Sequence, residues 1–351
     1  MAHRIETHDK QQGIKQAWHG LTEVMPEITL DNNWLTQWDM VPVELLEIGE
    51  QVEIGGETYF TGEKSGLSRL VCSDVHKVKV GQGYNPNTFK PIDNKAFLNL
   101  VRESISGTGH KIVSVGSLRN RGRVFLSIEL QGMEKFKAAG RDFSAFLNFG
   151  NGHDKSSVLW VSTSNVCTVC DNTYSMNLVQ VENKESKDAS DDIKMNLRHT
   201  KNANLRLPAM SRLIDKAIGV QAEFQIELDN LATQSITEKR AESLFAGFVG
   251  RNIAEIDKGM STRARNTVSR LKELHIAGLG NSGETLADSF QAVTEYYTRE
   301  SSGGENKMRQ IVSSEFGAGL NNKQVFWNIV RNEEKRDETI LRGETLLAHT
   351  N

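Results

Sequence analysis

Three arginines at every second position, Arg119, Arg121 and Arg123, sit in the stretch "SLRNRGRVFLSIEL", which is bordered by runs of alternating apolar residues. A guanidinium presents a planar fork of donors that matches phosphate oxygens, and it also stacks on nucleobases. If the extended conformation persists through Gly122, strand alternation sends all three to one side. Phe125 continues that parity, whereas Val124, Leu126, Ile128 and Leu130 take the opposite face. Cations beside an exposed aromatic are what single-stranded nucleic acid needs: attraction for the backbone and stacking for the base. The same charges would equally serve as a solvated turn that stops a sheet edge from pairing with other chains.

Other residue groupings point to chemistry less directly. Arg198, His199 and Lys201 in "NLRHTKN" form a second basic point, or else a charged segment leading into a helix. Cys167 and Cys170 have metal or redox spacing, but a zinc site needs further ligands, and Cys72, His110 and His153 would complete one only if the fold gathered them. Buried structural cysteines are the expectation. "GGETYFTGEKS" (55–65) has one residue too many between Gly56 and Gly62 for a phosphate loop, and Glu63 would repel the phosphate. "GQGYNP" (81–86) lacks the third glycine of a dinucleotide fingerprint. Asp171, Glu182 and Lys184 have the types of a metal-dependent nuclease site but a spacing common by chance. No catalytic residue, metal or cofactor is expected.

The whole chain of 351 residues carries a formal net charge of only -3, which hides an uneven distribution. Residues 1–63 hold three Lys/Arg against twelve Asp/Glu, and residues 64–123 hold eleven against three. An acidic segment followed by a block of about +8 is a local field that selects what docks there. With 38% hydrophobic residues the chain has material for a real core. Three cysteines form no disulfide framework, and neither a signal peptide nor a bilayer-long apolar run is legible, so a cytoplasmic protein without membrane contact is expected.

The elements that must position these residues divide the chain in two. "QVEIGGETYFTG" reads as a tight hairpin around Gly55-Gly56, and 68–80 as a continuing strand with Lys77 and Lys79 on one face. A helix follows at 93–106, with Asp93 as cap and Phe97, Leu100, Val101 and Ile105 as its apolar stripe. Strands are predicted at 110–118, 122–131, 141–150 and 156–169, then a short helix at 171–180 and an exposed loop at 183–192. From residue 204 the spacing of Leu207, Met210, Ile214, Ala217, Phe224, Leu228 and Leu231 predicts one long amphipathic helix, with Pro208 in its first turn. Further helices are predicted at 237–250, 262–276, 285–300 and 323–335. The expected fold class is α+β: an N-terminal antiparallel-sheet domain with a packed helix, residues 1–203, then a helical region, residues 204–351, suited to assembly or interaction.

Several segments, "MAHRIE", "AWHGL", "PIDNKAFLNL", "GSLRNRGRVFLSIEL", "NGHDKSSVLW", "VCTVCDNT", "RHTKN" and "ETLADSFQAVTEYYTRE", resemble in order a phage- and plasmid-encoded family built on a domain of unknown function, of the DUF932 type. The likeness departs at Cys167, which weakens a metal or redox role for the pair. It implies a mobile-element protein in a bacterial cytoplasm and no established activity. A more distant similarity is to single-strand annealing recombinases of the Erf and RecT kinds, which run a basic groove along a sheet and helix and assemble into rings or filaments. The expected function is therefore non-enzymatic binding and annealing of single-stranded DNA by a homo-oligomer. Arg119, Arg121, Arg123, Lys77, Lys79, Lys111, Arg198 and Lys201 would neutralise phosphates, and Phe125 or Trp160 would stack on bases. The alternative is an anti-defence factor whose acidic first 63 residues cover a basic host protein.

Overall fold

The computed structural model describes residues 40–54, 57–72, 79–84, 87, 92, 94–118, 123–132, 136–153, 160–167, 173–177, 211–301, 310, 313–314 and 317–349. Strands β1 (Met40–Ile54), β2 (Glu57–Cys72) and β3 (Lys79–Tyr84) form an antiparallel sheet in that order. Ile54 pairs with Glu57, so the hairpin turns where Gly55-Gly56 predicts it. The strand expected over 68–80 is not continuous. Val71 pairs antiparallel with Lys79 and Leu70 with Val80, so the chain reverses between Cys72 and Lys79.

Helix α1 (Asn94–Ile105) follows, with Phe97 and Val101 one turn apart and fully buried. The second sheet holds β4 (Lys111–Leu118), β5 (Arg123–Glu129), β6 (Phe136–Ala138), β7 (Arg141–Gly152), β8 (Trp160–Cys167) and β9 (Thr173–Asn177). Its order is β4-β5-β7-β8-β9, with β6 paired to the start of β7, and every pairing is antiparallel. The β6–β7 hairpin has a two-residue loop, Ala139-Gly140, with both residues at positive φ, 49° and 72°, which matches the right-handed twist of its strands. The helix expected at 171–180 is instead β9: Thr173 and Tyr174 favour a strand, and β8 offers an edge to pair with.

The helical half comprises α2 (Ser211–Ala232), α3 (Glu238–Val249), a 3-10 turn (Ile256–Lys258), α4 (Thr262–Ala277), α5 (Leu286–Arg299), α6 (Ala318–Val330) and α7 (Glu333–Ala348). The start of the long helix predicted over 204–210 lies outside the described residues, but its stripe Ile214, Ala217, Phe224, Leu228 and Leu231 is buried as the spacing requires. The single helix predicted over 323–335 is two. Asn332 breaks it by capping α7, its side chain accepting from the Lys335 N–H at 3.0 Å.

Aromatic rings bind the halves together. Trp327 lies 4.7 Å from Phe290 and 5.1 Å from Phe224, and Phe224 meets Phe143 of β7 edge-on at 6.0 Å. One core thus runs from the β6–β7 end of the sheet into the helices. Helices α3 and α7 approach closely: a Cβ on Gly343 would strike the Ser243 carbonyl, and one on Gly247 the Thr339 carbonyl. The architecture is α+β, antiparallel sheet with a packed helix followed by a helical region. No helix among the described residues is long and apolar enough to cross a membrane.

Candidate nucleic-acid interface

The register of the six-stranded sheet decides which residues share a face. Directly paired residues of antiparallel strands lie on the same side. One row reads Gly116, Phe125, Gly150, Trp160 across β4, β5, β7 and β8, and the row beyond it reads Leu118, Arg123, Gly152. Arg123, Phe125 and Trp160 therefore occupy neighbouring register positions, next to Gly150 and Gly152 of β7, which are buried. The next row inward, Ser114, Ser127, Asn148, Ser162 and Asn177, is entirely polar. The Ser127 hydroxyl donates to Asn148 Oδ1 at 2.6 Å, and Asn148 Nδ2 donates to Ser164 Oγ, one row further along, at 2.5 Å. These buried side chains satisfy one another and hold three strands in register.

The opposite face carries Val124, Leu126, Ile128, Phe143, Ala145, Leu147 and Phe149, all buried. At the end where Arg123 pairs with Gly152, the flanking residues Asn151 and His153 tie β7 to the start of α1. Asn151 Nδ2 donates to the Ile92 carbonyl at 2.9 Å, and His153 Nε2 lies 2.9 Å from Asn94 Oδ1, an acceptor to which it donates its proton. Residues far apart in sequence, Ile92 and Asn94, Arg123, and Asn151 to His153, thus meet at one end of the sheet. A site built there would rest on rigid strands and a clamped helix.

Of the expected binding residues, Arg119, Arg121, Lys77, Arg198 and Lys201 lie outside the described residues. Arg123 opens β5 and Trp160 opens β8. Lys111 opens β4 opposite Glu129, at the far end of that strand from Leu118 and so about 20 Å from the arginine end. Lys79 belongs to the other sheet, paired with Val71. Phe125 corrects the expectation. It keeps the arginine parity but is fully buried, as are Val124, Leu126, Ser127 and Ile128, so β5 is covered on both faces and Phe125 is a packing residue.

The remaining candidates separate. Cys72 ends β2 and Cys167 ends β8, in different sheets, while Cys170, Asp171, Glu182 and Lys184 lie outside the described residues. The His110 ring accepts from the Gln131 N–H at 2.9 Å, and His153 serves the clamp on α1. Among the described residues no three metal-ligating side chains come together. The phosphate-loop look-alike is strand β2 from Glu57 onward, paired with β1. Sequence reasoning missed Asn94 and Asn151, whose only signal is a buried amide beside a histidine, and it missed Arg141 and Asp288.

Those last two form a buried ion pair, Arg141 Nη2 to Asp288 Oδ1 at 2.6 Å, which joins β7 to the first turn of α5. The box Thr285-x-x-Asp288 is a helix-start signature legible in the sequence. Burial pushes the Asp288 carboxyl up, but hydrogen bonds from Ser282, Thr285 and Arg141 outweigh it and hold the group below the usual 3.8. Ser289, His275 and Asp288 also gather in this region, the residue types of an acyl-transfer triad. Their geometry does not serve that chemistry. Ser289 Oγ sits 3.4 Å from Nδ1 of a buried ring, and the carboxylate is committed to Arg141 and to the helix start.

A family model described as a domain of unknown function (DUF932) matches residues 83–344. No curated protein and no solved structure matches the chain. The matched span runs from the end of β3 through the arginine hairpin, the clamp on α1 and the helices into α7, so the chain belongs to the DUF932 family.

Proposed function

We propose that the protein is a non-enzymatic single-stranded DNA-binding and annealing protein of a phage, plasmid or prophage, acting as an oligomer in a bacterial cytoplasm. The observation that carries this reading is the arginine end of the six-stranded sheet. Arg123 pairs with Gly152 at the end of the sheet where Trp160 opens β8, and the sequence adds Arg119 and Arg121 just before it. Support comes from the block of about +8 over residues 64–123, of which these three arginines are the C-terminal end. Cations would follow the sugar-phosphate chain, and Trp160 would stack on a base without regard to sequence. Phe125, being buried, drops out of the contact set. The kinship to Erf- and RecT-like annealing proteins belongs to this reading, as does assembly through the helical half.

The test is an annealing assay with complementary labelled oligonucleotides, run beside binding titrations with single- and double-stranded forms. The reading expects tighter binding to the single strand and annealing faster than the protein-free rate. Equal affinity for both forms with no acceleration would reject it. The acidic first 63 residues support the other reading, a factor that covers a basic host protein, which expects no oligonucleotide binding at all.

A further inference from the structure

Besides the Asn151 clamp at one end, the apolar face of the six-stranded sheet carries a polar stretch on β8. Thr163 and Asn165 of β8 pair with Leu147 and Ala145, so parity puts them on the same face as Phe143 and Phe149. Helix α2 lies against that face. Its Phe224 meets Phe143, Gln225 Nε2 donates to the Lys137 carbonyl at 2.8 Å, and Asp229 Oδ1 accepts from the Ala139 N–H at 2.6 Å. One turn back along the buried stripe from Phe224 stands Gln221. That step is about 4.5 Å along a helix that contacts β7 and β8 as well as β6.

Thr163, Asn165 and Gln221 are each 0% exposed. Among the described residues, Thr163 Oγ1, both polar atoms of Asn165 and both of Gln221 have no hydrogen-bond partner. Interiors rarely keep such groups dry, and ordered water is the usual partner of a buried amide that protein atoms leave unmet. Opening an apolar seam exposes surface that water solvates poorly. Opening this one lets amides and a hydroxyl regain hydrogen bonds, which lowers its cost relative to global unfolding.

We propose that the seam between α2 and β8 is a hydrated plane, along which the first half of α2, through Gln221, separates from the sheet as a unit. Phe224, Gln225 and Asp229 fix the second half to β6–β7 and act as the hinge side. The proposal is independent of the nucleic-acid reading and concerns the mechanics of the join between sheet and helices.

Hydrogen exchange with mass spectrometry on the full chain tests it. Amides of 214–221 are expected to exchange at least about tenfold faster than those of 224–230 and of α3. Ordinary fraying of a helix start would give part of that pattern, so the discriminating arm is Asn165→Leu with Gln221→Leu. Filling the seam with apolar groups is expected to slow exchange over 214–221 about tenfold while leaving α3 unchanged. Should the double variant fail to fold, Thr163→Val is expected to act in the same direction to a smaller extent. Protection over 214–221 equal to that of α3, or exchange unchanged or faster in the filled variants, would overturn the proposal.

Discussion

Replacing Asp288 by alanine removes the acceptor on which the junction of β7 and α5 converges. Its Oδ1 takes the Arg141 guanidinium at 2.6 Å. Its Oδ2 accepts from Ser282 Oγ at 2.9 Å, Thr285 Oγ1 at 3.0 Å, and the Glu284 and Thr285 N–H groups, each at 3.2 Å. The two side chains are only 9% and 4% exposed, so truncation strands a buried cation as well as the helix-start donors. Breaking such a pair costs about 3–5 kcal/mol, against about 0–1 kcal/mol for an exposed pair such as Arg240–Asp337. Asp288→Asn keeps an oxygen but loses the charge, and about half the cost is expected. Urea unfolding followed by tryptophan fluorescence reads the change through Trp327, which is buried in the shared core, with Asp337→Ala as control. Loss of less than about 1 kcal/mol, or no more than the control, would refute the reasoning. The pH dependence follows from the lowered carboxyl. The folded chain keeps Asp288 ionised to lower pH than the unfolded chain does. Its contribution is complete above the ordinary 3.8 and is lost as pH falls through the folded value.

Three further outcomes are expected. Burial lowers the His275 pKa below 6.5 although Asp288 draws it back up. Unfolded chains therefore take up a proton first, stability falls as pH drops below about 6.5, and His275→Gln should flatten that part of a Tm-against-pH curve. Phe125→Ala should cost about 3–5 kcal/mol of stability with oligonucleotide affinity per folded molecule unchanged, whereas Trp160→Ala should weaken binding by about 1–3 kcal/mol. A titration on protein shown folded by circular dichroism separates the two. Gly343→Ala should destabilise by about 1–3 kcal/mol or more, read in the same urea experiment, because the added methyl meets the Ser243 carbonyl in the α3–α7 contact.

How far the sequence discloses this molecule varies with the strength of the local pattern. The α2 stripe, the helices at 237–250, 262–276 and 285–300, and the Gly55-Gly56 turn are legible because period and turn chemistry agree. At β9 and at 68–80 the alternation is short, and tertiary pairing decides what propensity leaves open. Phe125 shows the limit for the site. Parity identified its face correctly, but whether a sheet face is covered depends on elements distant in the chain, which alternation does not encode. Asn94 and Asn151 escaped, and His153 was read only as a possible metal ligand, for the same reason: their meaning lies in contacts between segments 57 and 59 residues apart.

The central claim is that the arginine end of the sheet neutralises phosphates. Its most direct measurement is the slope of log affinity against log salt for a single-stranded oligonucleotide, for the wild type and for Arg119→Ala/Arg121→Ala/Arg123→Ala. Each phosphate contact on a single strand contributes about 0.7 to that slope, so the triple variant should lose about 2. A slope the same in both proteins would contradict the account.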